Sequence, residues 1–420
     1  MPSVSAAAVR DGEIVWSEAV GLADVESGEE ATPDHQYRIA SITKTFTAVA
    51  VMQLRDEGRL SLDDLLDRHV PSAARSPSLR FLLTHASGLQ REPPGRVWET
   101  LQFPSREELV GRLAEAEQVL APGAYQHYSN LAFSLLGEVV ARVTGLDYER
   151  YVDDRVLRPL GLERTSWKPI APVARGYFVD PWTDEAVAEP VVEGRATASA
   201  GELWSTASDL CRWASFLADP DPDVLSRDTV EEMHAFQTMA DLEHWTVGFG
   251  LALMLMRKGD RLFSGHSGGH LGFLSNVACH RPSRTGTAVL TNSGAGVAIT
   301  ELGVELADTV AAAFPVDPTP WQPGERPPGE LAGVLGPWWS EGSEFVFRYR
   351  EGRLEALLRA GAPGLDLTRF EQEGEDRYRA VSGPERGELL VVLRDRDGEV
   401  VRMEFATYPF TRRPEPMASA

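Results

Sequence analysis

The sequence predicts an α/β (α+β) domain, an antiparallel sheet with helices and a mostly helical region, followed by a small all-β barrel. Three observations carry that prediction. Strand-type alternation opens the chain and returns after about residue 250, and the apolar spacing between them is helical. A stretch with six prolines, Pro315 to Pro328, breaks the pattern. Beyond it only strand patterns remain, with turn signals every ten or so residues.

The elements follow in order. Ser3 to Val9 alternates, Asp11-Gly12 is a turn pair, and a second strand starts at Glu13, which together signal a hairpin. Ser41 to about Glu57 has helical spacing. Pro122-Gly123 marks a turn ahead of a helix over Leu131 to Val143. Thr206 to Asp209 is a capping box before a helix to about Ala218. Leu251–Met256, Arg261–Ser264, Leu274–His280 and Ala288–Asn292 are expected strands. In the last part, Phe345, Phe347 and Tyr349 alternate with Val346, Arg348 and Arg350. Arg353–Arg359, Leu389–Leu393 and Val400–Phe405 continue the series, with Trp338 and Trp339 as expected core. The domains are therefore 1–314, a linker at 315–329, and a barrel at 330–420.

Composition narrows the functional classes. A net charge of −22 argues against nucleic acid and anionic membrane surfaces as partners. A small molecule or a peptide is the expected substrate, and the oligomeric state is unreadable. Cys211 and Cys279 fall in apolar patterns and are expected as buried thiols, with no disulfide framework or zinc spacing. No metal and no cofactor is expected. No stretch approaches a membrane span in length, and no signal peptide is evident, so a cytoplasmic location is expected. A trimmed N-terminus, and with it a lost leader, stays open.

Three short elements can carry chemistry. Ser41-Ile42-Thr43-Lys44 sets a hydroxyl and an amine one helical turn apart, on one side of the helix. A serine becomes a nucleophile when a neighbour takes its proton. A lysine can do so when neutral, and an arginine cannot. Only three lysines occur among 41 basic residues. The bland reading makes Ser41 a helix cap and Lys44 a solvated cation, and such a match arises by chance in about one chain in five. Tyr128-Ser129-Asn130 is the second element. Asn130, Asn276 and Asn292 are the only asparagines, so chance yields such a match in roughly one chain in fifteen. Its bland reading is a cap at Ser129 or Asn130 with Tyr128 as a packing aromatic. The third is His266-Ser267-Gly268-Gly269, whose glycines suit close backbone approach at a strand edge, while a histidine alone is more often structural.

Taken together these elements resemble the serine β-lactamase and penicillin-binding peptidase superfamily, nearest to the class C branch with its esterase and D-aminopeptidase relatives. Flanking text agrees: Arg38-Ile39-Ala40, Leu82 to Leu89, Leu157 to Leu162, and Ser199-Ala200-Gly201. The resemblance implies a β-lactamase-like fold, with residues 1 to about 60 and about 240 to 314 forming the sheet with its flanking helices. The segment between would be mostly helical, and the site would lie between the two. It implies Ser41 as acylated nucleophile, Lys44 as its base, and Tyr128 as the acid/base that serves the leaving group. Asn130 would hold the substrate amide, with His266, Ser267, Gly268 and Gly269 along the substrate, and the N–H groups of Ser41 and Gly269 would form an oxyanion hole. His85 is given a structural role. Lipocalin-like β-barrels follow the catalytic domain in several members. One departure stands out: the family's Lys-Thr-Gly is His266-Ser267-Gly268 here, which removes a cation that would hold a β-lactam carboxylate.

The leading expectation is thus a cofactor-free serine hydrolase acting on an ester or amide, plausibly a D-amino-acid-containing peptide. The alternatives are a stand-alone cyclase for nonribosomal peptides, a weak β-lactamase, and a non-catalytic penicillin-binding or sensor protein. Loops Gln90–Gln102 and Arg175–Thr197 are where specificity would lie.

Overall fold

The computed structural model describes residues 1–71, 76–315, 323–361 and 367–415. Residues 316–322, half of the expected linker, lie outside them. The chain divides into two compact units, Met1–Asp317 and Pro318–Ala420.

The first unit is built on a nine-stranded antiparallel sheet. Its strands are β1 (Ser3–Arg10), β2 (Glu13–Asp24), β3 (Glu29–Glu30), β4 (Thr238–Met239), β5 (Val247–Phe249), β6 (Met254–Lys258), β7 (Arg261–His270), β8 (Phe273–His280) and β9 (Thr285–Thr291). Their order across the sheet is β3-β2-β1-β9-β8-β7-β6-β5-β4. The expected N-terminal hairpin is β1 and β2, turned by Asp11 and Gly12, both at positive φ.

Period-two alternation gives each central strand two faces. In β8 and β9, Val277, Cys279, Ala288 and Leu290 share the main core with helix α3 (Ala207–Ala218). On the other face, Val289 packs with Ile299, and Ala278 with Ala307 and Ala311, all three on α4 (Ile299–Ala313). Two further helices, α1 (Thr43–Asp56) and α2 (Asn130–Thr144), pack in the helical region beside the sheet. The division at about residue 240 needs one correction. Helix α3 comes from the segment expected to be helical region, yet it covers a face of the sheet. Its amphipathic stripe supplies Trp213, which stacks on Phe46 of α1 at 3.8 Å and links the two layers. Both cysteines are buried free thiols. Among the described residues no helix is long and apolar enough to cross a membrane.

Two strand expectations also change. Residues 251–253 are not strand, and β6 starts at Met254. The strand expected to stop at Ser264 runs on to His270, because its glycines let it continue beside another backbone.

The second unit is an eight-stranded antiparallel, nearly closed barrel: β10 (Gly336–Ser340), β11 (Ser343–Arg350), β12 (Arg353–Leu358), β13 (Leu367–Gly374), β14 (Arg377–Ala380), β15 (Leu389–Arg394), β16 (Val400–Phe405) and β17 (Tyr408–Phe410), paired in sequence order. Hydrogen bonds between Trp339 and Thr411 bring its two ends together. Inward residues recur with period two, as in Leu354/Ala356, Leu390/Val392 and Met403/Phe405. Trp338 is fully buried in this core, its indole N–H donating to Val334 O at 2.7 Å.

Candidate active site

Ser41 sits in a tight turn, Ala40–Ile42, directly before α1. Ala40 has φ +46°, a left-handed conformation that costs a non-glycine residue on the order of 1 kcal/mol. Neighbours hold this turn: the Ile39 N–H donates to Leu203 O at 2.9 Å, and Ser275 Oγ donates to Ile39 O at 2.9 Å. The bland reading of Ser41 fails here, because neither the turn nor α1 has a side-chain cap. That of Lys44 fails as well, because its side chain is fully buried.

Lys44 Nζ has three neighbours: Ala200 O at 2.6 Å, Asn130 Oδ1 at 2.8 Å and Ser41 Oγ at 3.0 Å. Burial pushes its pKa well below the usual lysine range; Glu92 opposes the shift and Arg91 adds to it. A neutral amine has two N–H groups and one lone pair. In that form the two oxygen acceptors, Ala200 O and Asn130 Oδ1, would take the N–H groups and leave the lone pair for the Ser41 hydroxyl.

Tyr128 and Asn130 come from the loop entering α2. Ser129 is the helix cap, accepting from the Ala132 N–H at 3.0 Å, so Asn130 is the first helical residue and stays free to reach Lys44. Its Nδ2 donates to Glu92 Oε1 at 2.7 Å. Tyr128 neighbours Ser41, and its ring lies 4.9 Å from Lys44 Nζ. Burial of its hydroxyl raises the phenol pKa above the ordinary value. The ring stacks on His85 at 4.1 Å, and the Arg91 guanidinium lies 5.0 Å from the ring centre. His85 is fully buried, accepts from the Ser129 N–H at 3.2 Å, and is held neutral by burial and then by Lys44.

The third element divides. Strand β7 pairs with β6 only as far as Gly265, so residues 266–270 pair with β8 alone and leave one side open. Gly268 lies against the nucleophile's turn: a Cβ there would stand 2.1 Å from Ile39 O. Gly269 is exposed and lines one cleft, of about 410 Å³, with Ser41 and Asn130. His266 is buried near Tyr128, ring centres 6.2 Å apart, with Nδ1 against Ser267 O and Nε2 without a partner among the described residues. Burial, then Lys44, lowers its pKa to about 3. Ser267 points its hydroxyl at Met254 Sδ at 3.6 Å. Ser41, Lys44, Tyr128 and Asn130 are thus brought into contact, Gly269 faces the same cleft, and His266 and Ser267 stand behind it.

Sequence reasoning missed several neighbours. Glu92 bonds Asn130, and Trp98, Phe103 and His270 line the cleft. Arg38 and Glu202 also line it as a buried pair at 2.8 Å, and Glu202 further accepts from the Gly194 N–H at 2.7 Å. Burial, against Arg38, raises the Glu202 carboxyl to about 7. The only signal for Glu92 and Trp98 was their place in the loop 90–102, and for Ala200 the segment Ser199-Ala200-Gly201.

Comparison with known proteins places this geometry. The family described as Beta-lactamase matches residues 1–310, and a Domain of unknown function (DUF7586) matches residues 327–412. "Beta-lactamase-like protein 2" of Dictyostelium discoideum is 34% identical over 248 residues, 55% of this chain and 45% of its own. "D-alanyl-D-alanine-carboxypeptidase/endopeptidase AmpH" of Escherichia coli K12 is 35% identical over 189 residues, 43% of this chain and 48% of its own. The chain thus spans about half the length of the curated relatives it matches. A D-stereospecific amidohydrolase from Streptomyces sp. superposes with a TM-score of 0.61 at 28% identity, covering 70% of this chain and 90% of that one.

Proposed function

This chain belongs to the Beta-lactamase family of serine hydrolases, and from that premise we propose that it cleaves an ester or amide of a D-amino-acid-containing substrate through an acyl-enzyme on Ser41. One observation carries the reading: the buried Lys44 Nζ stands 3.0 Å from Ser41 Oγ, with Ala200 O at 2.6 Å and Asn130 Oδ1 at 2.8 Å placed to hold the two N–H groups of its neutral form.

The steps follow from the contacts. Ser41 Oγ attacks the substrate carbonyl carbon as its proton passes to Lys44 Nζ. The carbonyl π pair moves to oxygen, and the backbone N–H groups of Ser41 and Gly269 serve that developing charge. Collapse breaks the bond to the leaving amine or alcohol, which takes a proton from Tyr128, and Tyr128 is reprotonated from Lys44. Water then attacks the Ser41 ester by the reverse proton route and releases the acid. The substrate class draws on the relatives, since AmpH and the Streptomyces enzyme both carry a D-configured substrate in their names. A β-lactam fits less well. His266, neutral where the resemblance has a lysine, offers no cation to a carboxylate.

Labelling with a fluorophosphonate or a fluorescent penicillin, read by intact mass, tests the proposal. A single adduct is expected and is lost in Ser41→Ala. Lys44→Ala is expected to slow labelling by about 10²–10⁴-fold, the range for general acid–base catalysis. No adduct with either probe overturns it.

A further inference from the structure

The cleft contains a carboxylate that the acyl-transfer steps leave unused. Glu92 lines the same cavity as Ser41 and Asn130. Its Oε1 accepts from Asn130 Nδ2 at 2.7 Å, while Oε2 has no hydrogen bond among the described residues, and its side chain is only 21% exposed. Among the described residues its ion-pair partner is Arg91, which approaches Oε1 no closer than 3.7 Å and is itself 63% exposed. A half-buried carboxylate with an open oxygen at the mouth of a cleft wants a donor, and a charged one most.

The cations around the cleft tell the same story from the other side. Arg38, which lines it, is taken by Glu202 and by Val192 O at 2.7 Å. Lys44 gives both its N–H groups to protein oxygens, and His266 is buried and neutral. Among the described residues that line the cleft, a substrate carboxylate would thus find no unpaired cation (Arg91, exposed over the Tyr128 ring, is not one of them), whereas an ammonium would find Glu92.

Position makes the match specific. Asn130 joins the two ends of the site, accepting from Lys44 beside Ser41 and donating to Glu92. In an amino-acid amide, a single carbon separates the α-amino nitrogen from the carbonyl carbon that is attacked. With a carbonyl held at Ser41 and that nitrogen turned to the Asn130 side, the amine would face Glu92 in the same cleft. Trp98 and Phe103, edge to face at 5.5 Å, give an apolar wall for the side chain of the same residue.

We infer that Glu92 is the anchor for a substrate α-ammonium, so that the enzyme removes or hydrolyses an amino-terminal residue with a free amine and an apolar side chain. The inference rests on the acyl-enzyme reading above and narrows its substrate class to aminopeptidase- or amidase-type, not carboxypeptidase-type. Glu92 is a binding residue here and takes no part in proton transfer.

The test compares D-phenylalanine p-nitroanilide with its N-acetyl derivative, in wild type and in Glu92→Gln, which keeps an acceptor for Asn130 but removes the charge. Wild type is expected to favour the free amine in kcat/KM by on the order of 10- to 100-fold, the worth of a hydrogen bond to a charged group. Glu92→Gln is expected to collapse that ratio toward unity, chiefly through KM. The wild-type preference is also expected to fade as pH rises through about 7.7–8.0, where an α-amine loses its proton. An unchanged ratio in Glu92→Gln overturns the inference, since equal losses on both substrates mean that Glu92 only positions Asn130. Faster release of the last residue from N-acetyl-D-Ala-D-Ala than of p-nitroaniline overturns it too. So does labelling of Ser41 without turnover of either anilide. Absence of any Ser41 adduct is a different outcome, which removes the acyl-enzyme reading beneath it.

Discussion

The base role proposed for Lys44 rests on where its side chain ends. Ser-x-x-Lys was legible as a motif, but its neutral amine is a tertiary property: Ala200 and Asn130 come from distant parts of the chain, and burial does the rest. The same burial creates a stability cost at low pH. His266 titrates at about 3 in the folded protein against an ordinary 6.5. Below 6.5 the unfolded chain takes up a proton that the native one refuses. The stability from a neutral imidazole is thus intact above 6.5 and lost as pH falls toward 3. At about 1.4 kcal/mol per pKa unit the loss reaches on the order of 5 kcal/mol. Urea unfolding at pH 7, 5.5 and 4.5 is expected to show a steep decline in wild type and a shallower one in His266→Gln. Equal slopes would mean that His266 is not held neutral by its surroundings.

At the scale of elements, β7 is the part that turns a sheet into a site. Its glycines marked close approach in the sequence; what they approach did not show. Gly268 rests on the turn that carries Ser41, and an added Cβ would meet backbone, which has nowhere to go. Gly268→Ala is expected to lower stability by about 1–3 kcal/mol, the usual range for overpacking, and to slow Ser41 labelling as β7 is forced off the turn. Gly269→Ala meets only Leu274 Cδ2, at 3.3 Å, and is expected to leave stability nearly unchanged. Denaturation curves and labelling rates of the pair check this, and equal stability of the two variants would refute it. The helix at Asn130 shows the same division. Its start was readable from Ser129, yet the freedom this leaves Asn130 to bridge Lys44 and Glu92 emerges only from the packed loop 90–102.

For the whole molecule, the structure divides into two compact units, Met1–Asp317 and Pro318–Ala420. Each has a core of its own, the second around Trp338, Phe347 and Phe370. Calorimetry is expected to resolve two transitions. Trp338→Ala, a loss of about 3–5 kcal/mol for a buried aromatic, should shift one of them only. A single transition that moves as a whole would contradict independent cores. What the sequence by itself determined is local: the Ser41–Lys44 pair one helical turn apart, the tyrosine and asparagine, the strand and helix periods, and the change of pattern near residue 315. These are legible because spacing and turn chemistry act between near neighbours in the chain. Only the tertiary structure decided that Lys44 is buried, that His266 is buried beside Tyr128, and that Glu92 lines the cleft with an oxygen that has no hydrogen bond among the described residues. Burial and charge pairing depend on which distant segments meet, and no local pattern encodes that.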